Sequence, residues 1–141
     1  IFVGRGSKYK KLKNYIKLNK LQNFVSFFTN INNPTYFYQI SNLFILSSKY
    51  EGFGNVIVEA LKNNCPVITS NCKSGPMEII ANGKFGDFFN IGDHHNLKNI
   101  IKRHFNNEKR LNKKTSLSKK HLQKFNKYNF EKNFSKLINK I

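Results

Sequence analysis

The sequence predicts an α/β fold: a parallel sheet covered by helices on both faces, followed by a helical C-terminal tail. Three observations predict it. Short apolar runs alternate with segments of helical period, the pattern of βαβ units. The runs are continuous, as in "IFV" and "LFIL", and continuous runs suit strands buried on both faces. Each of the first four runs is followed by a segment rich in Gly, Asn or Ser: "GRGS", "TNINNP", "SKYEGFGN" and "NCKSGP". In such sheets ligands bind beyond the carboxyl ends of the strands, where those segments lie.

The elements follow in order. "IFVG" reads as a strand ending at glycine. "SKYKKLKNYIKLNKL" places Tyr9, Leu12, Ile16 and Leu21 near helical spacing. "FVSFF" is the second strand. In "NPTYFYQIS", Asn33 is a helix cap and Pro34 its first position. "LFILSS" is the third strand, "NVIVEALKNN" a helix ending before Pro66, and "PVITSN" the fourth strand. "SGPMEIIANG" is a short helix with Pro76 early and Gly83 after its end. "GDFFNI" is a fifth strand, and Asp93 caps a helix from His94 to about Phe105. Beyond Asn106 the chain becomes strongly basic, with spaced apolar residues from Leu111 to Ile138. Helices are expected there, the last one amphipathic. Packing against another part of the protein is favoured over a membrane-surface role for it. The expected organisation is 1–105 as one ligand-binding domain and 106–141 as a basic helical segment.

Composition bounds the function. With 141 residues and 39% hydrophobic content, the chain can bury the core of one domain. No apolar run approaches the roughly 20 residues that span a bilayer. "IFVGRG" lacks the pattern of a signal peptide, and the chain opens without Met inside a strand-like run. It is therefore expected to be a fragment of a longer chain. Net charge is +18, which raises nucleic acid and anionic membrane as partners. The 22 lysines are matched by 22 asparagines and joined by only three arginines. A spread Lys and Asn surplus is better read as compositional bias than as a phosphate-recognition patch. Cys65 and Cys72 have neither metal nor disulfide spacing, and buried thiols in a reducing cytosol are expected. His94 and His95 are adjacent, no Cys or acid cluster completes a metal site around them, and they are expected in a solvated turn.

The chemistry concentrates in "YEGFGNVIVEAL". Only seven carboxylates occur in the chain, and Glu51 and Glu59 are two of them. Glu51 falls on the loop after the third strand and Glu59 about one turn into the next helix. Gly52 and Gly54 permit positive φ and let a ligand approach bare backbone. The amides near Asn55 and Val56 form a helix N-terminus, a natural seat for a diphosphate. Carboxylates on either side of phosphates make sense if they face hydroxyl groups. A nucleotide diphosphate sugar has hydroxyls at both ends, ribose on one side and hexose on the other. The E-x7-E spacing alone is weak; its place after a buried strand, with glycines inside it, carries more weight.

The stretch "SSKYEGFGNVIVEALKNNCPVITSNCKSGPMEIIANGKFGDFFNIGD" resembles the nucleotide-sugar domain of the retaining glycosyltransferases of family 4, which have the GT-B fold. "FVGRG" and "NPTYFYQISNLFILSS" resemble the segments upstream of that motif, so the resemblance covers about residues 1–93. It implies a Rossmann-like domain, the C-terminal half of a GT-B fold, whose first strand precedes Ile1. It implies that Glu59 binds the ribose hydroxyls. Glu51 is implied as the catalytic carboxylate, orienting the donor hexose and stabilising positive charge at the anomeric carbon. Gly52, Phe53, Gly54, Asn55 and Val56 are implied to contact diphosphate and sugar through backbone. The resemblance also assigns Gly4, Ser74 and Glu78 to the substrate site, with Phe28 to Asn30 near the base. "SGPMEI" resembles the version in members that handle N-acetylhexosamines, often for bacterial surface glycans. For Glu78 the competing reading is an acid placed to suit a helix dipole. The expected reaction transfers a hexosyl group from a nucleotide diphosphate sugar, a UDP-sugar for preference, without cofactor or metal. A glycan or lipid-linked acceptor would sit on an N-terminal domain outside this sequence, so the 141 residues alone should not turn over. A cytoplasmic location, with peripheral contact at the inner face of the cell membrane, is in keeping with this. A basic nucleotide- or nucleic-acid-binding module and a non-catalytic remnant remain the rival readings, although no specific nucleic-acid motif is present.

Overall fold

The structure, a computed structural model, describes residues 1–126. The chain forms two compact units, Ile1–Pro34 and a larger one beginning at Thr35. The first is a single crossover: β1 (Phe2–Val3), α1 (Tyr9–Leu18), a 3-10 turn (Gln22–Phe24) and β2 (Phe27–Phe28). β1 and β2 pair in parallel with Phe2 opposite Phe27. The rings of that pair stack at 5.2 Å, and Tyr9 meets Phe27 edge-on at 5.3 Å. The second strand is shorter than "FVSFF" predicts, because Phe24 belongs to the 3-10 turn and is exposed.

The second unit contains α2 (Thr35–Ile40), β3 (Phe44–Leu46), α3 (Asn55–Lys62), β4 (Val67–Ser70), α4 (Pro76–Ile79), β5 (Asp87–Phe89), α5 (His94–Asn106) and α6 (Glu108–Leu122). The three strands form a parallel sheet in the order β3-β4-β5. β4 is central, and all four of its residues are buried. Successive residues of a strand point to opposite faces. Val67 accordingly packs with Ile57, Leu61, Ile79 and Leu122, while Ile68 packs with Phe89, Ile100 and Leu111. Helices thus cover both faces of β4, as its continuous apolar run predicted; "IFV", read the same way, is exposed at Ile1, Phe2 and Val3, and Ile45 of β3 is also exposed.

The five expected strands are all present, in two separate ladders. Thr35 opens α2, so Asn33 and Pro34 both precede the helix. Asp93 caps α5, its Oδ1 accepting from the Asn96 amide at 2.8 Å. His94 and His95 are exposed, as expected, but begin α5 and do not form a turn. Both cysteines are buried and free, and burial pushes the Cys65 thiol up to about 11.

The boundary expected at 105/106 does not coincide with the structural division. A break at Asn107 separates α5 from α6, but α6 packs on α3 and α5 within the same unit. Leu111 and Leu122, on one face of α6, are buried in this chain's own cores. The amphipathic stretch with Phe130, Phe134, Leu137 and Ile138 lies outside the described residues. Among the described residues no helix is long and apolar enough to cross a membrane.

Candidate active site

The site begins where β3 ends. Residues 47–54 connect β3 to α3, and three serines hold that loop. Ser70, the last residue of β4, donates its hydroxyl to the Ser48 carbonyl at 2.5 Å. Ser48 Oγ donates to Glu51 Oε1 at 2.6 Å. Ser74 Oγ lies 3.2 Å from the Glu51 carbonyl oxygen and 3.4 Å from that of Gly52, with its own neighbour Lys73 at 2.6 Å. Glu51 is thus fixed at both side chain and backbone, half-buried at the carboxyl end of the sheet.

Two glycines shape the turn into α3. Gly54 is the N-cap, with φ of 93°, a conformation that favours glycine. Gly75, in the loop after β4, has φ of 67°; a Cβ there would lie 2.5 Å from the Phe53 carbonyl carbon and overlap its oxygen. The two loops therefore meet backbone to backbone. Gly52 has open space where a side chain would project, which leaves its backbone accessible.

The start of α3 has no side-chain cap and no acid in its first turn. An α-helix cannot pair its first amides internally, so those of Asn55 and Val56 remain available to an anion. The N-terminal dipole adds to that attraction. Glu59 lies one turn further along. Its Oε2 accepts a hydrogen bond from the Tyr38 hydroxyl at 3.0 Å. Tyr38 is buried on α2, and burial, followed by the Glu59 carboxylate, pushes its phenol well above the ordinary range.

The structure therefore brings Glu51, Gly52, Phe53, Gly54, Asn55, Val56 and Ser74 together around one loop, with Glu59 following on the same helix. Phe53, Glu78 and Gly4 are placed as follows. The Phe53 ring turns inward, edge-on to Phe125 at 5.2 Å, so only its backbone serves the site. Glu78 is exposed in the first turn of α4, and its carbonyl is 3.2 Å from His121 Nε2 on α6. This is the dipole-favoured position of the simpler reading. Gly4 belongs to the first unit, where its amide donates to the Phe28 carbonyl at 2.9 Å and its φ is 132°.

Tyr38, Ser48 and Ser70 were missed from the sequence. Ser48 precedes Glu51 by three positions, a local signal that could have found it. Tyr38 reaches Glu59 across 21 positions, and no spacing rule reveals that. A cavity of about 530 Å³ lined by Asp87, Arg103 and Lys114 contains none of the candidate residues. Asp87 opens β5, so that cavity lies toward the opposite end of the sheet. Among the described residues no three His, Cys, Asp or Glu side chains cluster closely enough to hold a metal.

The site thus lies at a helix start at the carboxyl end of a parallel sheet, the place where open α/β domains bind ligands. The chain belongs to the family of glycosyl transferases group 1, whose model matches residues 1–124. It is 42% identical over 81 residues to an uncharacterized glycosyltransferase of Methanocaldococcus jannaschii, a match covering 57% of this chain and 20% of that protein. It is 37% identical over 83 residues to the poly(glycerol-phosphate) alpha-glucosyltransferase of Bacillus subtilis, covering 59% of this chain and 12% of that one. These matches span a fifth or less of either relative. The fold is that of GT-B glycosyltransferase C-terminal domains. Anabaena HepE in complex with UDP and glucose superposes with a TM-score of 0.88 at 23% identity, over 99% of this chain and 40% of that one. TarM of S. aureus superposes with 0.84 at 24% identity, over 97% and 27%.

Proposed function

We propose that this chain is the donor-binding part of a retaining glycosyltransferase of family 4. It transfers a hexosyl or N-acetylhexosaminyl group from a nucleotide diphosphate sugar to a hydroxyl acceptor in surface glycan synthesis. The observation that carries the reading is the pair Glu51 and Glu59 on either side of an uncapped, acid-free helix start. The diphosphate sits at the amides of Asn55 and Val56. Glu59 accepts hydrogen bonds from the ribose hydroxyls. Glu51 orients the hexose and stabilises the positive charge that develops at the anomeric carbon as its bond to the diphosphate breaks. The leaving charge falls on the α3 amides and on basic side chains of the whole protein, so the reaction is read as metal-free.

UDP is the favoured nucleotide: the HepE structures hold UDP, UDP with glucose, and UDP-glucose. Surface glycan synthesis is supported by the capsular polysaccharide glycosyltransferase CapM of Staphylococcus aureus, 35% identical over 78 residues. A glycan or lipid-linked acceptor, a cytoplasmic location and contact with the inner membrane face belong to the same reading.

The test uses the whole protein that carries this chain. Glu51→Gln and Glu59→Gln should each lower transfer from a UDP-sugar by about 100-fold or more, with circular dichroism unchanged. The Glu51 variant should lose turnover, and the Glu59 variant should raise the donor KM. Chelation of divalent ions should leave the rate unaltered. Full activity in both variants would remove the role assignment.

A further inference from the structure

We infer that Tyr38 is a positioning residue: its hydroxyl holds one oxygen of Glu59 so that the other is presented to the donor ribose, and this sets the preference for a ribonucleotide. The inference rests on the ribose role proposed for Glu59. Its geometry stands independently. The Tyr38 hydroxyl donates to Glu59 Oε2 at 3.0 Å. The Tyr38 ring is 7% exposed and meets Phe44 on β3 edge-on at 5.5 Å, so the donor is anchored to the sheet. α2 and α3 both run back from the carboxyl end of the sheet, and the two residues meet about one turn into each helix.

A glutamate on a helix surface samples several rotamers, and each hydrogen bond to a ligand must first overcome that freedom. A fixed phenol removes most of it before the ligand arrives. An ionised carboxylate can accept about four hydrogen bonds, so one bond from Tyr38 leaves Oε1 and part of Oε2 for ribose hydroxyls. A buried phenol held above its ordinary range stays protonated and can only donate here. Glu51 has the same arrangement: Ser48 takes Oε1 at 2.6 Å and leaves Oε2. Both carboxylates of the site thus have one oxygen committed to a protein hydroxyl.

The competing possibility is that Glu59 merely satisfies a buried phenol. A structural pair of that kind would affect stability without affecting discrimination at the ribose. Calorimetric titration of the whole protein with UDP and with 2′,3′-dideoxyuridine diphosphate separates the two. The wild type should favour UDP. Tyr38→Phe keeps the ring and its contact with Phe44; it should weaken UDP binding about tenfold and leave the dideoxy ligand within about twofold. Glu59→Gln should narrow the same ratio. Phe44→Leu disturbs the packing of the Tyr38 ring and keeps the hydroxyl; it should lower the unfolding midpoint and preserve the ratio.

Should Tyr38→Phe weaken both ligands equally, or neither, while Glu59→Gln narrows the ratio, the positioning role is overturned and the ribose role of Glu59 survives. Should Phe44→Leu narrow the ratio as much as Tyr38→Phe, packing and not the hydroxyl is responsible, and the inference is again overturned. An unchanged ratio in Glu59→Gln removes the ribose role itself, and the Tyr38 inference with it.

Discussion

Gly75 is the residue at which the site has least room. Its φ of 67° strains any side chain, and a Cβ would overlap the Phe53 carbonyl oxygen. Gly75→Ala should therefore displace residues 52–54, costing about 1–3 kcal/mol of stability and weakening UDP binding. Gly52 provides the contrast, because a Cβ there meets nothing within 4 Å. Gly52→Ala should keep the unfolding midpoint, so any loss of UDP affinity reports the close approach of ligand to backbone. Thermal unfolding and UDP titration of both variants check this. The need for glycine in "YEGFGN" was readable from the sequence, since loops at strand ends that meet phosphates require bare backbone. The need at Gly75 was not, because the atoms it must avoid belong to a loop more than 20 positions earlier.

Elements are joined most tightly at Asp87, the first residue of β5. Its carboxylate is buried and pairs with Arg103 of α5 at 3.2 Å, with Lys114 of α6 at 2.7 Å, and with Arg110 of α6. Lys114 also donates to the Gly83 carbonyl at 2.7 Å. One side chain thus holds two helices to an edge strand. Burial alone would raise the Asp87 pKa, but hydrogen bonds from Arg110 and Lys114 outweigh it and hold the carboxyl down to about 2. A depressed carboxylate stabilises the fold fully above its unfolded value of about 3.9. That contribution should fall as pH drops from about 4 and be gone below about 2. Asp87→Asn should lose about 3 kcal/mol at neutral pH, the low end for a broken buried pair because the cations can reach water. Its acid limb should also be flatter across that window. Urea unfolding of both proteins between pH 2 and 7 measures it. The junction explains why α6 is not a separate piece: composition marks where α5 stops, but the carboxylate and Leu111 hold α6 to the same sheet.

At the scale of the whole molecule the formal net charge is +18. The three ion pairs found among the described residues all converge on Asp87. Like charges at this density repel one another and oppose compaction. Raising salt from about 10 mM to about 0.3 M shortens the screening length to well under 10 Å. The unfolding midpoint should therefore rise with salt, while UDP affinity falls as attraction for the diphosphate is screened. A midpoint that drops would show that surface attraction, not repulsion, dominates. Scanning calorimetry and UDP titration at matched salt provide both readings.

The sequence by itself determined the parallel α/β architecture, the start of α3 and the two glutamates of the motif. Those features rest on short-range causes: apolar periodicity, capping residues, and glycine where backbone must be bare. Tertiary structure alone decided which oxygen of each glutamate is held, which way Phe53 turns, and that α6 belongs with the sheet. Each of these depends on partners well separated in the chain, such as Tyr38 with Glu59 or Lys114 with Asp87. Such pairs exist only once the sheet has brought its covering helices together, and local pattern contains no record of them.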